Sequence, residues 1–143
     1  MPHLVILYTP QLDAESDMTA LCRRLADAMI TVRDEAGAAV FPTGGVRVLA
    51  YPAAHHAVAD GGAAHRAAGG DGDCAFAYFN LRMGRGRSEA VKQQAGELLA
   101  RTAREHLGPV LARRAIGLTL QIDEGAEVFD AKFGNLHPLF PKK

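Results

Sequence analysis

Residues 3–32, HLVILYTPQLDAESDMTALCRRLADAMITV, decide the fold. His3-Leu4-Val5-Ile6-Leu7-Tyr8 is a run of strand-forming residues. After a Pro/Gln/Asp turn, Leu21, Leu25, Ala28, Met29 and Val32 recur at helical spacing, with Ser16 or Asp17 placed to cap the helix. Gly37 is expected to close that helix, Phe41-Pro42-Thr43-Gly44-Gly45 to form a loop, and Val46-Arg47-Val48-Leu49-Ala50-Tyr51 to make a second strand. Strand, helix and strand in that order make a βαβ unit.

The pattern then recurs. Ala75 to Met83 reads as a strand, Gly84-Arg85-Gly86-Arg87 as a turn, and Ser88 as the cap of a helix carrying Val91, Ala95, Leu98, Leu99 and Thr102 on one stripe. Glu89 in its first turn suits the helix dipole. Gly108-Pro109 breaks the helix, a helical turn is expected over Val110 to Arg114, and Ile116, Leu118, Leu120 and Ile122 alternate with Gly117, Thr119 and Gln121 as a fourth strand. Strand onsets lie about 43 residues apart in the first unit (His3 to Val46) and about 41 in the second (Ala75 to Ile116), the mark of an internal structural repeat.

The expected architecture is α/β (α+β) in a single domain over residues 1–143. Two βαβ units, about 2–52 and 73–125, form a four-stranded mixed sheet with two helices on one face. A Gly/Ala-rich loop, about 53–72, joins them, and a tail follows over 126–143. The face without helices is not polar: Val5 and Leu7 oppose Leu4, Ile6 and Tyr8, and Phe76 and Tyr78 oppose Ala77, Phe79 and Leu81. A strand apolar on both sides is usually buried on both sides, so subunit association is expected. The tail carries Phe133, Leu136, Leu139 and Phe140 to pack against a neighbour, with Lys142 and Lys143 solvated.

Composition narrows the function. The 143 residues carry 16 Lys+Arg against 16 Asp+Glu, so no basic field for nucleic acid exists, and no apolar run approaches the ~20 residues of a membrane span. No charged leader with a long apolar core opens the chain, which leads to the expectation of a cytoplasmic protein. Cys22 and Cys74 match no metal or disulfide framework and read as ordinary thiols. His55, His56 and His65 join Asp60, Asp71 and Cys74 in no recognised ligand spacing, so the loop reads as solvated and no metal is expected.

Three residues carry the candidate chemistry. If Met1 is trimmed, Pro2 presents a secondary amine, and an α-amino group with a reference pKa of roughly 7.7–8.0 is a base near neutrality. Apolar walls or neighbouring cations lower that value further. Gly45-Val46-Arg47 puts an arginine at the start of the second strand, and Gly86-Arg87-Ser88 puts another at a helix N-terminus, where backbone N–H groups favour anions. Two guanidinium forks suit the two ends of a dicarboxylate. The starts of parallel strands share a rim of the sheet, so Pro2 and Arg47 lie together. If the second unit runs antiparallel to the first, the exit of the third strand brings Arg87 to the same rim.

At these residues the chain resembles the tautomerase superfamily, and within it the 5-carboxymethyl-2-hydroxymuconate isomerase family. The likeness runs through Met1-Pro2-His3, Gly45-Val46-Arg47, Gly84-Arg85-Gly86-Arg87-Ser88 leading into Gln93-Gln94-Ala95-Gly96-Glu97, and Asn135-Leu136-His137-Pro138-Leu139-Phe140. The resemblance implies a cytoplasmic homotrimer without a cofactor, acting in the breakdown of aromatic acids. Pro2 would be its general base, and Arg47 and Arg87 would hold the carboxylate or carbonyl oxygens of an unsaturated 2-hydroxy dicarboxylate. The bridge at 53–72 is longer than is usual in the family and bears on the mouth of the pocket, and Arg85, between the two turn glycines, adds a cation to which the resemblance assigns no role. Other readings are a proline-based hydratase, dehalogenase or decarboxylase, in which protonated Pro2 is an acid, and a catalytically silent trimeric binding protein.

Overall fold

The computed structural model describes residues 2–140 and gives four strands: β1 (His3–Tyr8), β2 (Arg47–Pro52), β3 (Ala75–Met83) and β4 (Ile116–Glu124). They form one sheet in the order β2-β1-β3-β4. β1 runs parallel to β2, β3 runs parallel to β4, and the two pairs meet antiparallel at β1 and β3. This is the doubled βαβ arrangement the repeat predicts.

Period-two alternation sorts the side chains. Leu4, Ile6 and Tyr8 of β1 and Ala75, Ala77, Phe79, Leu81 and Met83 of β3 are buried against two helices, α2 (Met18–Thr31) and α4 (Glu89–His106). The helices supply Leu21, Leu25 and Met29, and Val91, Ala95 and Leu99, to one core. Both are capped by side chains: Asp17 accepts the Ala20 N–H at 2.9 Å, and Ser88 accepts the Val91 N–H at 3.2 Å.

Several expectations need correction. The first helix ends at Thr31, not at Gly37. Val32 is buried and leaves the helix in an extended conformation. Gly37, at φ 80°, sits in a separate turn where the Asp34 carboxylate accepts the N–H groups of Ala36 and Ala38. The Pro/Gln/Asp turn is a single helical turn, α1 (Gln11–Glu15), which buries Leu12. The bridge at 53–72 is not helix-free: α3 (Ala63–Ala67) starts where Asp60 accepts the N–H groups of Gly62 and Ala64, and alanine's high helix propensity serves without an apolar stripe. The turn after α4 lies earlier than expected, as α5 (Gly108–Leu111), and the second strand begins at Arg47 rather than Val46. Lys142, Lys143 and Met1 lie outside the described residues.

The helix-free face is ordered by register. One row across the sheet reads Arg47, His3, Arg82 and Asp123. The next reads Leu49, Val5, Asn80 and Gln121, and a third Tyr51, Leu7, Tyr78 and Thr119. Leu7, Leu49 and Tyr51 are each about half exposed here. The charged row lies at the end of the sheet where Pro2 enters.

Candidate active site

Pro2 precedes β1 and is buried. Its carbonyl accepts the Arg47 N–H at 3.3 Å, which carries the β1–β2 ladder one residue past the strand and fixes Pro2 beside the start of β2. The chain reaches Arg47 through a 3₁₀ turn, Thr43–Gly45, anchored by the buried Phe41 and closed by the Gly45 N–H donated to the Pro42 carbonyl at 2.8 Å. A Cβ built on Gly45 would lie 3.6 Å from Pro2 Cδ, so this glycine sits directly against the proline ring.

Both candidate arginines grip that loop. Arg47 Nη1 donates to the Gly44 carbonyl at 2.7 Å and the Val46 carbonyl at 2.9 Å. Arg87 Nη1 donates to the Gly84 carbonyl at 3.0 Å, its Nη2 to the Val40 carbonyl at 2.9 Å, and its guanidinium lies 6.0 Å from the centre of the Phe41 ring. Each side chain is half-buried and spends part of its donor set on the fold, leaving further N–H groups for an anion. Segment 40–47 is therefore the hub of the site: Val40 meets Arg87, Gly44 and Val46 meet Arg47, and Gly45 meets Pro2.

The electrostatics at this rim disfavour added positive charge. Burial, and the neighbouring Arg47 guanidinium among nearby cations, hold the His3 imidazole below its ordinary value. On the other side of the Arg87 turn, the hydrogen bond from Lys92 comes first in holding the Glu124 carboxyl below the usual range, with the charges of Arg85 and Arg87 adding to it. Arg85 itself is exposed, and Gly86 at φ 105° supplies the left-handed residue the turn needs.

Pro2 and Arg47 are thus brought together directly, and Arg87 joins them through the far end of the same loop. A groove of about 520 Å³ between α2 and the β2 edge takes in Arg47, Leu49, Leu136 and Phe140, but neither Pro2 nor Arg87. His55, His56 and His65 do not assemble: among the described residues no three His, Cys, Asp or Glu side chains come together, and His65 Nδ1 instead accepts the Gly72 N–H at 3.1 Å to brace the loop. Cys22 and Cys74 are free thiols. His137 is the residue at this site that sequence reasoning passed over; its Cε1 would lie 3.7 Å from the same Gly45 Cβ. The signal in the sequence was the pair Gly44-Gly45, and its meaning, close approach of other groups rather than a turn requirement, shows only once neither glycine is seen to have a positive φ.

Comparison with known proteins follows this geometry. A sequence model of a family described as 5-carboxymethyl-2-hydroxymuconate isomerase matches residues 2–140. The chain is 26% identical over 140 residues to 5-carboxymethyl-2-hydroxymuconate Delta-isomerase of Escherichia coli, covering 98% of this chain and 99% of that protein. Among solved structures it is similar to a 5-carboxymethyl-2-hydroxymuconate delta-isomerase at 67% identity and a TM-score of 0.96, over 100% of this chain and 95% of the other. A 5-carboxymethyl-2-hydroxymuconate isomerase from Deinococcus radiodurans R1 follows at 30% identity and 0.80, covering 99% and 95%. The fold extends to a fused 4-OT asymmetric trimer, 18% identical, with a TM-score of 0.59 over 96% and 97% of the two chains.

Proposed function

Because this chain belongs to the 5-carboxymethyl-2-hydroxymuconate isomerase family, we propose that it moves a proton within an unsaturated 2-hydroxy dicarboxylate, with the amine of Pro2 as general base and no cofactor. The observation that carries this reading is the doubled register at His3, which pairs with Arg47 on one side and Arg82 on the other and so sets Pro2 at a rim crowded with cations.

In the proposed reaction the Pro2 nitrogen takes the enol hydroxyl proton and the oxygen becomes a carbonyl. The electron pair moves along the conjugated chain, and the distal carbon receives a proton back from the pyrrolidinium. Atoms and charge balance without a second reagent. Arg47 and Arg87 hold carboxylate or carbonyl oxygens with the N–H groups the loop leaves free, and their charge offsets the negative charge as it migrates. A cation on Pro2 would lie beside the start of β2, where the Arg47 charge opposes it, and that favours the neutral amine a base needs.

The proposed assembly is a homotrimer closed on the helix-free face. Leu7 (46% exposed), Leu49 (45%) and Tyr51 (51%) lie together there, and covering them gains about 25 cal/mol per Å² of apolar surface. No helix among the described residues is long and apolar enough to cross a membrane. The proposed setting is the cytoplasm, in the breakdown of aromatic acids.

Two variants test the base. Pro2→Ala, and an N-terminal extension that turns the Pro2 amine into an amide, should each cut kcat steeply while the circular dichroism spectrum stays that of the parent. The assay is the ultraviolet absorbance of the conjugated dienol. Parental rates in both variants would remove Pro2 from the reaction.

A further inference from the structure

Gly44 and Gly45 have no conformational need to be glycine, since neither has a positive φ. What a side chain would strike explains them. A Cβ on Gly44 would meet His137 Nδ1 and Phe140 Cδ2, each at 3.0 Å, and the His137 backbone at 3.4 Å. A Cβ on Gly45 would touch His137 Cε1 on one side and Pro2 Cδ on the other. The imidazole therefore packs against the glycine pair, and Gly45 has both the His137 ring and Pro2 Cδ, the carbon bonded to the nitrogen assigned as base, as near neighbours.

Resting on the proposed function of the Pro2 site, we propose that His137 is a further substrate-contacting residue, whose ring N–H donates to a carboxylate oxygen of the dicarboxylate. The imidazole and the Arg47 guanidinium share one neighbour: a Cβ on Gly44 would lie 3.0 Å from His137 Nδ1, and Arg47 Nη1 donates to the Gly44 carbonyl at 2.7 Å. An anion drawn to Arg47 beside Pro2 thus comes within reach of the ring. The backbone at His137 is ordered: the residue opens a 3₁₀ turn (His137–Leu139) whose Phe140 N–H donates to the His137 carbonyl at 3.1 Å, and Leu136 and Phe140 line the same groove as Arg47. His137 is exposed, so its outer edge stays open to a ligand. The C-terminal segment is in this way a wall of the site, and the glycine pair is the floor that lets it close.

The test uses binding as well as turnover, with the full-length protein and an unsaturated dicarboxylate that lacks the hydroxyl group and cannot react. By titration calorimetry His137→Ala should weaken binding about tenfold or more, while His137→Asn, which keeps an N–H near the Nδ1 position, should lose less than about threefold. Gly44→Ala, which displaces the ring without removing it, should match His137→Ala, and the double variant should be no weaker than either alone. Circular dichroism spectra of all variants should overlay the parent. Binding of His137→Ala within about twofold of the parent would overturn the inference, as would an equal loss against a monocarboxylate analogue, because a carboxylate contact predicts a loss confined to the dicarboxylate. Since the probe does not turn over, this outcome is separate from the role of Pro2: a fully active Pro2→Ala protein would sink the proposed base and leave the calorimetric contrast to be judged by itself.

Discussion

Replacing Arg87 by alanine should unfasten the site loop before it affects any ligand. The side chain donates two charge-assisted hydrogen bonds, to Gly84 at 3.0 Å and across 47 residues of sequence to Val40 at 2.9 Å. Val40 is only 6% exposed, so its carbonyl is left with little water to replace the guanidinium. Bonds to charged donors contribute about 1.5–3 kcal/mol each, and half-exposure of the arginine brings the pair to about 2–4 kcal/mol. The cation over Phe41 at 6.0 Å lies at the limit of that interaction and adds roughly 0.5 kcal/mol at most. For a chain of this size that is a fall in Tm of roughly 6–12 °C, read by calorimetry at fixed protein concentration because assembly shifts the midpoint. Arg87→Lys keeps the charge and one carbonyl bond and should recover about half the loss. A Tm for Arg87→Ala within about 2 °C of the parent would refute the reasoning and leave the loop held by Phe41 and Arg47. If the fall is found, the kcat and KM of Arg87→Ala report on a loosened loop as well as on a lost anion contact.

Further expectations can be checked with standard methods. Burial first, and then the 2.6 Å hydrogen bond donated to Asp13, push the Tyr8 hydroxyl from 10.0 up to about 12. The stability tied to the neutral phenol is whole below pH 10 and is lost as pH rises through 12, so urea midpoints should fall across that window in the parent and less steeply in Tyr8→Phe. Ser88→Ala removes the cap of α4 and should cost about 1 kcal/mol in denaturant unfolding. It also removes the hydroxyl that Glu35 accepts from, so the depressed Glu35 carboxyl should return towards its ordinary value in an NMR titration. Leu49→Lys, at an exposed position on the helix-free face, should break the assembly in sedimentation velocity while leaving the helical signal intact, and an unchanged sedimentation coefficient would show that this face is not the interface.

Much of the fold was legible because the signals were local and periodic. His3–Tyr8 and Ala75–Met83 are short runs rich in strand-forming residues and have the bounds expected of them, and the doubled strand-helix-strand order leaves few pairings open. The errors fall where another force replaced periodicity. Asp60 nucleates α3 in an alanine run with no apolar stripe, and Asp34 rather than the helix claims Gly37. In the site, the nearness of Pro2 and Arg47 follows from parallel strands starting at one rim. The grip of Arg87 on Val40 and the seat of His137 on Gly44 do not, because each joins segments distant in sequence through single side-chain contacts that leave no repeat to read.

The most direct test of the central claim is the titration of the Pro2 nitrogen, followed by NMR in natively processed protein labelled with ¹⁵N-proline. The expected result is an amine that titrates below the reference range of roughly 7.7–8.0, at the same pH as the acid limb of kcat/KM. A Pro2 nitrogen that stays an amide throughout, or an amine that titrates well above that limb, would contradict it.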